Sequence, residues 1–207
     1  MGWWERHVVP RLVDATLAQD PVTELRRRTC AGLRGRVLEI GFGSGLNVGC
    51  LPPAVEAVDA VEPSDVGWSR SAVRRGASAV PIRRTGTDGQ RLAAGAASYD
   101  AVLVTFTLCT IPDAAAAAAE VRRVLRPGGT CCFLEHGLAP QPRVAAWQRR
   151  LEPTQRTVVG GCHLTRDPPA LLTAAGLTLA ELDQSYLPGP AAGRPWSYLS
   201  LGRAVLG

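Results

Sequence analysis

Two rhythms of apolar and polar positions take turns along the chain. Short apolar runs have the length and composition of buried strands, and between them apolar residues fall at three- and four-residue steps, as on one face of a helix. Residues 3–18 carry Trp4, Val8, Leu12 and Ala15 at helical steps, with Pro10 as a kink or break. Asp20-Pro21 ends that segment, and Thr23 is placed to cap a short helix through Arg28. A first strand is predicted over 36–41 and a short helix near 45–50, closed by Pro52-Pro53. A second strand follows over 55–62, then a helix over about 65–75 capped by Ser64, and a third strand over about 78–84. The near-continuous apolar run Tyr99–Phe106 predicts a strand covered on both faces.

Asp113 to Leu125 contains six consecutive alanines and stops at Arg126-Pro127-Gly128-Gly129, which reads as a helix with an acidic start and a Pro-Gly end. A fifth strand is predicted over 130–135 and a helix over 141–151, with Val144, Trp147, Gln148 and Leu151 on one face. Residues 152–166 read as irregular, and Asp167-Pro168-Pro169 opens a helix closed by Gly176. Two strands, 177–187 and 196–205, are joined only by the Pro/Gly-rich loop 188–195 and are therefore expected to pair antiparallel. Strand and helix alternate before that pair, which predicts an α/β doubly wound sheet with helices on both faces. The chain reads as a single domain over 1–207: an N-terminal helical lid over 1–34 and an α/β core over 35–207.

Composition narrows the class. The 207 residues are 46% hydrophobic and 20% charged, values of a globular domain with a large core. No run of about 18 apolar residues exists, so no transmembrane segment is expected. The start lacks the order of a signal peptide, which makes the cytoplasm the default location. The net charge is +5, and every basic residue is Arg. The Arg doublets are scattered and not interleaved with aromatics, so no nucleic-acid partner is expected. Of the six cysteines, Cys30, Cys50, Cys109, Cys131, Cys132 and Cys162, none forms a CxxC pair. Neither zinc nor thioredoxin chemistry is signalled, and no metal site is predicted.

The chemistry gathers around Val37-Leu38-Glu39-Ile40-Gly41-Phe42-Gly43-Ser44-Gly45. A strand ends there in alternate glycines, and Gly alone allows both positive φ and close approach of backbone to a ligand. Leu46 stands where a GxGxxG dinucleotide turn would continue, and the absence of a Lys-Ser/Thr pair excludes a P-loop. Glu62 ends the second strand 19 positions after Gly43, where an acid can accept hydrogen bonds from both ribose hydroxyls; Asp59 is its competitor. Asp88 and Gly89 follow the third strand. Their carboxylate and amide suit an amine and a ring nitrogen on an adenine edge, although an Asp-Gly turn is the commoner meaning of the pair.

With Val61-Glu62-Pro63-Ser64, Asp88, Ser98-Tyr99-Asp100-Ala101-Val102 and Glu120-Val121-Arg122-Arg123-Val124-Leu125-Arg126-Pro127-Gly128-Gly129, the stretch resembles the class I SAM-dependent methyltransferases. The resemblance implies a Rossmann-like seven-stranded sheet of order 3-2-1-4-5-7-6, strand seven antiparallel, with S-adenosyl-L-methionine (SAM) as cofactor and S-adenosyl-L-homocysteine as product. It implies that Gly41, Phe42, Gly43 and Gly45 line the methionine and ribose end and that Glu39 supports the Gly loop. Glu62, with Pro63 and Ser64, then holds the ribose; Thr87, Asp88 and Gly89 meet the adenine; Thr105 and Phe106 face the sulfonium.

Further along, Leu108-Cys109-Thr110, Phe133-Leu134-Glu135-His136, Trp147-Gln148 with Leu151-Glu152-Pro153, and Gly161-Cys162-His163-Leu164-Thr165-Arg166 are similar to the methyltransferase-like thiol methyltransferase family. Animal members of that family carry an N-terminal membrane anchor and methylate alkyl thiols or hydrogen sulfide. No such anchor is expected here, but Trp3-Trp4 on an amphipathic segment allows peripheral membrane contact. The resemblance implies a small apolar acceptor, an alkyl thiol first. The alternatives are a phospholipid or quinone methyltransferase, or a SAM-binding protein without catalysis. His136 and His163 are the candidate catalytic residues, each able to take a proton from the acceptor or to serve structurally. Direct displacement at a sulfonium needs no enzyme nucleophile, so Cys109 is not expected to act as one. The sequence leaves the oligomeric state open.

Overall fold

A strand buried on both faces needs apolar side chains on both sides, and β4 (Tyr99–Thr105) meets that demand from Ala101 to Val104. Ala101 and Leu103 join one buried cluster with Val37, Val58, Ala60 and Cys132. Val102 and Val104 point the other way, into a second cluster with Leu38, Ile40, Val121 and Phe133. The computed structural model describes residues 19–207, so the segment bearing Trp3 and Trp4 lies outside the described residues.

Seven strands form one sheet: β1 (Gly35–Ile40), β2 (Val55–Val61), β3 (Ile82–Gly86), β4, β5 (Leu125–His136), β6 (Thr178–Tyr186) and β7 (Tyr198–Val205). Their order is β3-β2-β1-β4-β5-β7-β6, as expected from the sequence. β1 pairs parallel with β2 and β4, while β7 runs antiparallel between β5 and β6. Helix α1 (Asp20–Cys30) packs on β5 and β7 and turns Val22, Arg26, Thr29 and Cys30 inward. The alanine run forms α4 (Ala114–Val124), capped by the Asp113 carboxylate on the Ala116 amide at 2.9 Å. Its small side chains let Ala114, Ala117 and Ala118 lie buried beside Val121 and Val124. Among the described residues no helix is long and apolar enough to cross a membrane.

Several local expectations are corrected. Thr23 caps nothing: the helix begins at Asp20, its N-cap is Gln19, and the Thr23 hydroxyl donates back to the Gln19 carbonyl at 3.2 Å. The helix near 45–50 is only a 3₁₀ turn, Val48–Cys50, because Gly45 and Gly49 weaken it and Pro52-Pro53 follow. The helix over 65–75 splits at buried Ser71 into α2 (Asp65–Arg70) and α3 (Ala72–Gly76), although Ser64 caps α2 as expected, at 3.1 Å from the Gly67 amide. The third strand starts later than 78 because the Ser78 hydroxyl bonds both the amide and the carbonyl of Val80 and holds a turn there. The fifth strand begins at Leu125, with its register shifting across Arg126-Pro127-Gly128-Gly129.

Residues 152–158 are helical, not irregular. Helix α5 (Pro142–Val158) runs through Pro153 at an exposed position, where water can satisfy the carbonyl that proline leaves without a donor. Asp167 caps α6 (Pro168–Ala174) through its carboxylate, 3.1 Å from the Ala170 amide. The loop between the last two strands holds a 3₁₀ turn and α7 (Arg194–Ser197), so β7 starts at Tyr198.

Candidate active site

β1 ends at the sheet's carboxyl edge, and the chain then needs three left-handed backbone positions: Gly41, Gly43 and Gly45 have φ of 79°, 56° and 78°. At Gly41 the reason is also steric, since a Cβ would sit 1.9 Å from the Thr107 hydroxyl. At Gly43 nothing lies within 4 Å of where a Cβ would be, so this edge of the loop is open to a ligand.

Glu62 faces that opening. One carboxylate oxygen accepts the Gly43 amide at 2.5 Å and the other accepts the Ser64 amide at 2.7 Å. Burial raises the Glu62 carboxyl above its ordinary range, and the two amides oppose the rise. Gly67 of α2 leaves room for this carboxylate: a Cβ there would stand 3.4 Å from Glu62 Oε1. Asp59 is excluded as the crevice acid, because it is sealed in the core by Arg36 at 2.6 Å and the Tyr99 hydroxyl at 3.0 Å.

After β3, Gly89 presses on the end of β1, where a Cβ would approach Ile40 Cγ2 to 2.6 Å. Asp88 is exposed, and its Oδ1 accepts the backbone and side-chain N–H of Gln90 at 2.9 and 3.0 Å, leaving Oδ2 outside these bonds. Thr87 is exposed beside it, and Phe42 is buried with its ring 5.4 Å from that of Trp68. Pro63 is exposed. The Gly loop, Glu62 and the Asp88-Gly89 turn thus surround one edge of the sheet, and their open backbone, carboxylate and free acceptor fit a nucleoside with a ribose.

Beneath the Gly loop lies a network that no local sequence pattern announces. Asn47 donates to Glu39 Oε1 at 2.8 Å and to the Thr105 hydroxyl at 3.0 Å, and its carbonyl oxygen accepts from Arg26 at 2.7 Å. Arg26 also donates to the Thr105 hydroxyl at 3.1 Å and lies over the Phe106 ring at 5.3 Å. The Thr105 hydroxyl is therefore taken up inside the protein, and Phe106 turns the chain with φ of 53°. An Arg at a core-facing helical step after Val22 was the available signal for Arg26. Asn47 had none.

The other half of the site is the turn after β4. Buried Glu135 accepts the amides of Thr107 at 2.7 Å, Leu108 at 3.0 Å and Cys109 at 3.2 Å. Burial still lifts its carboxyl to about 6. From outside, Arg166 donates to the carbonyls of Leu108 and Ile111, each at 2.6 Å, and to that of Pro112 at 3.0 Å. His163 donates its amide to the Cys109 carbonyl at 2.7 Å, and its ring Nδ1 meets Glu152 at 2.9 Å. His136 Nε2 lies 3.2 Å from the Cys162 sulfur. The Cys109 thiol and the His136 ring both favour a thiolate at Cys162 and lower its pKa, while the contact with Cys162 and burial push Cys109 up. Both candidate histidines thus reach the acceptor side, each already engaged.

A crevice of this build, in this strand order, is that of a class I methyltransferase. A family model described as a methyltransferase domain matches residues 38–133. Thiol S-methyltransferase TMT1B of Rattus norvegicus is 33% identical over 175 residues, spanning 82% of this chain and 70% of the relative. Two solved structures share the fold. The Bacillus subtilis YcgJ protein has a TM-score of 0.71 at 17% identity, over 89% of this chain and 97% of its own. The N-methyltransferase NodS of Bradyrhizobium japonicum, solved with S-adenosyl-L-homocysteine, has a TM-score of 0.68 at 18% identity, over 96% and 98%. The chain belongs to the class I SAM-dependent methyltransferases and, within them, is closely related to the thiol methyltransferase (TMT1) family. It is an enzyme that uses SAM and acts on a small molecule.

Burial lifts the Glu39 carboxyl from the ordinary 4.5 to about 7; Asn47 and Arg26 oppose the rise, and Glu62 adds to it. The folded chain therefore holds this proton more tightly than the unfolded chain. Its contribution to stability is lost as pH rises from 4.5 through about 7. The shift corresponds to about 3 kcal/mol. Urea denaturation of Glu39→Gln, whose carbonyl can still accept from Asn47, is expected to exceed wild type by about 1–3 kcal/mol near pH 8, with the difference closing near pH 4. A difference independent of pH would contradict this account of Glu39.

Proposed function

We propose that the small molecule is an alkyl thiol and that its sulfur accepts the methyl group. The observation that carries this reading is the likeness, over 82% of the chain, to a protein named a thiol S-methyltransferase. The build of the acceptor side supports it. Glu135 and Arg166 hold the turn after β4 rigidly from both sides, which gives alignment, and the surrounding Leu108, Leu134 and Leu164 are buried and apolar.

On the cofactor side, Glu62 would take the ribose hydroxyls, the open face of Gly43 would receive the sugar and methionine end, and Asp88 with Gly89 would meet the adenine edge. The cofactor supplies a methyl group on a positively charged sulfur. An acceptor sulfur aligned behind that methyl group would take it by direct displacement, the old bonding pair leaving with S-adenosyl-L-homocysteine. The thiol proton goes to His163, whose ring Glu152 orients at 2.9 Å. His136 is not given that role, because its Nε2 already faces Cys162. A thiol loses its proton near pH 8.5, so modest help suffices and no strong base is needed.

Three outcomes test this reading. Glu62→Ala is expected to weaken SAM binding by about 1–3 kcal/mol in calorimetry; unchanged affinity would displace the ribose assignment. A turnover assay that detects S-adenosyl-L-homocysteine, run against alkyl thiols, phenols, quinones, amines and phospholipid vesicles, is expected to show turnover with thiols. Turnover confined to a lipid or quinone would replace the thiol. His163→Asn, whose amide keeps the contact to Glu152, is expected to lower kcat about 100-fold with SAM affinity retained. Retention of full kcat would remove His163 from the proton path.

A further inference from the structure

Three segments far apart in sequence bring soft ligand atoms to one point. Cys109 comes from the turn after β4, His136 is the last residue of β5, and Cys162 lies in the loop after α5. The two sulfurs and a ring nitrogen lie within 4.8 Å of one another, the only group of three such residues among the described residues that could hold a metal ion. The Cys162 sulfur and His136 Nε2 are 3.2 Å apart, and both cysteines are buried and free of disulfides.

We propose that Cys109, His136 and Cys162 form a binding site for a single thiophilic divalent cation of the zinc class. Zinc takes sulfur at about 2.3 Å and imidazole nitrogen at about 2.0–2.1 Å, so tetrahedral ligand atoms stand roughly 3.5–3.8 Å apart. Adjustments of about 1 Å or less convert the present triangle into that geometry. The donor set of two thiolates and one imidazole selects zinc over magnesium or calcium, which take oxygen. Two thiolates neutralise a divalent charge, which lets the ion sit in a buried place.

The surroundings are already in place. His136 Nδ1 is buried with no hydrogen-bond partner, and Nε2 is the ring nitrogen turned toward Cys162, at 3.2 Å, where a ligand atom is needed. Cys109 is fixed through its amide to Glu135 at 3.2 Å and through its carbonyl to the His163 amide at 2.7 Å. Three protein ligands leave a tetrahedral ion one further position for water or another small ligand. The ion would also tie the ends of β4 and β5 to the loop after α5.

The test uses the full chain, reduced with a phosphine, stripped of metal and titrated with cobalt(II). Uptake of one equivalent is expected, with the visible absorption of four-coordinate cobalt and a near-ultraviolet thiolate-to-cobalt band. Zinc is expected to displace both and to raise Tm. Cys109→Ser and Cys162→Ser are each expected to lose the thiolate band and at least 10-fold in affinity, with S-adenosyl-L-homocysteine binding as the check that each variant is folded. Absence of saturable cobalt or zinc binding by the wild-type chain would overturn the proposal whatever the variants do. Survival of unchanged bands in both folded variants would place the ion elsewhere and overturn it as well. None of these readouts depends on which acceptor is methylated, so a failure here is separate from a failure of the thiol reading.

Discussion

A carboxylate taken wholly out of water must be answered by donors, and the answer given to Glu39 sets the geometry of the cofactor half. Asn47 meets it at 2.8 Å and is itself oriented by Arg26 at 2.7 Å. An amide has one donating and one accepting end, so these two neighbours leave Asn47 a single sensible orientation. Through it, α1, β1, the Gly loop and the end of β4 are joined by directional bonds in a region where misplacement leaves polar atoms unpaired. The glycines then shape a loop whose anchor is polar, although the layers on either side of it are apolar.

The acceptor half is built on the same logic with a different acid. Glu135 gathers successive amides of the turn after β4, and Arg166 gathers carbonyls of the same segment from the other side. A turn so held cannot rearrange without exposing several backbone groups at once. Phe106 accepts a left-handed conformation at the start of this turn, which a bulky residue adopts only when its surroundings insist. The two halves meet at Gly41 and Thr107, where lack of a side chain on one admits the hydroxyl of the other. Cofactor and acceptor elements are thereby brought within van der Waals reach across the sheet edge.

What the sequence made legible and what it hid divide along a physical line. The doubly wound sheet with its antiparallel last pair, the helix caps at Ser64, Asp113 and Asp167, and the placement of Glu62 beside Gly43 follow from local pattern, while the full strand order comes with the family resemblance. Arg26, Asn47 and the inward role of Thr105 depend on side chains meeting across four elements, and no single window of sequence contains them. The Cys109, His136 and Cys162 group is hidden for the same reason: its members come from a turn, a strand end and a loop far apart in sequence, so no close cysteine spacing announces them. Element ends depart from the local pattern where one side-chain bond decides the matter, as at Ser78, or where exposure tolerates a proline, as at Pro153.

The position of β7 bears on how the molecule assembles. It pairs with β5 on one side and with β6 on the other, yet it is the last of the strands in chain order. Among the described residues β6 has no neighbour in the sheet except β7, so emerging residues 178–186 have no strand to pair with as they are made. During synthesis the β5 edge stays bare until residues 198–205 arrive, while the half that carries the Gly loop can already close on itself. The strands that frame the nucleotide crevice are thus made early, and the C-terminal hairpin is a late unit in the order of synthesis. The late unit leaves a row of unpaired backbone groups along β5 in the interval, and that edge is where a nascent chain of this design is most open to wrong pairing.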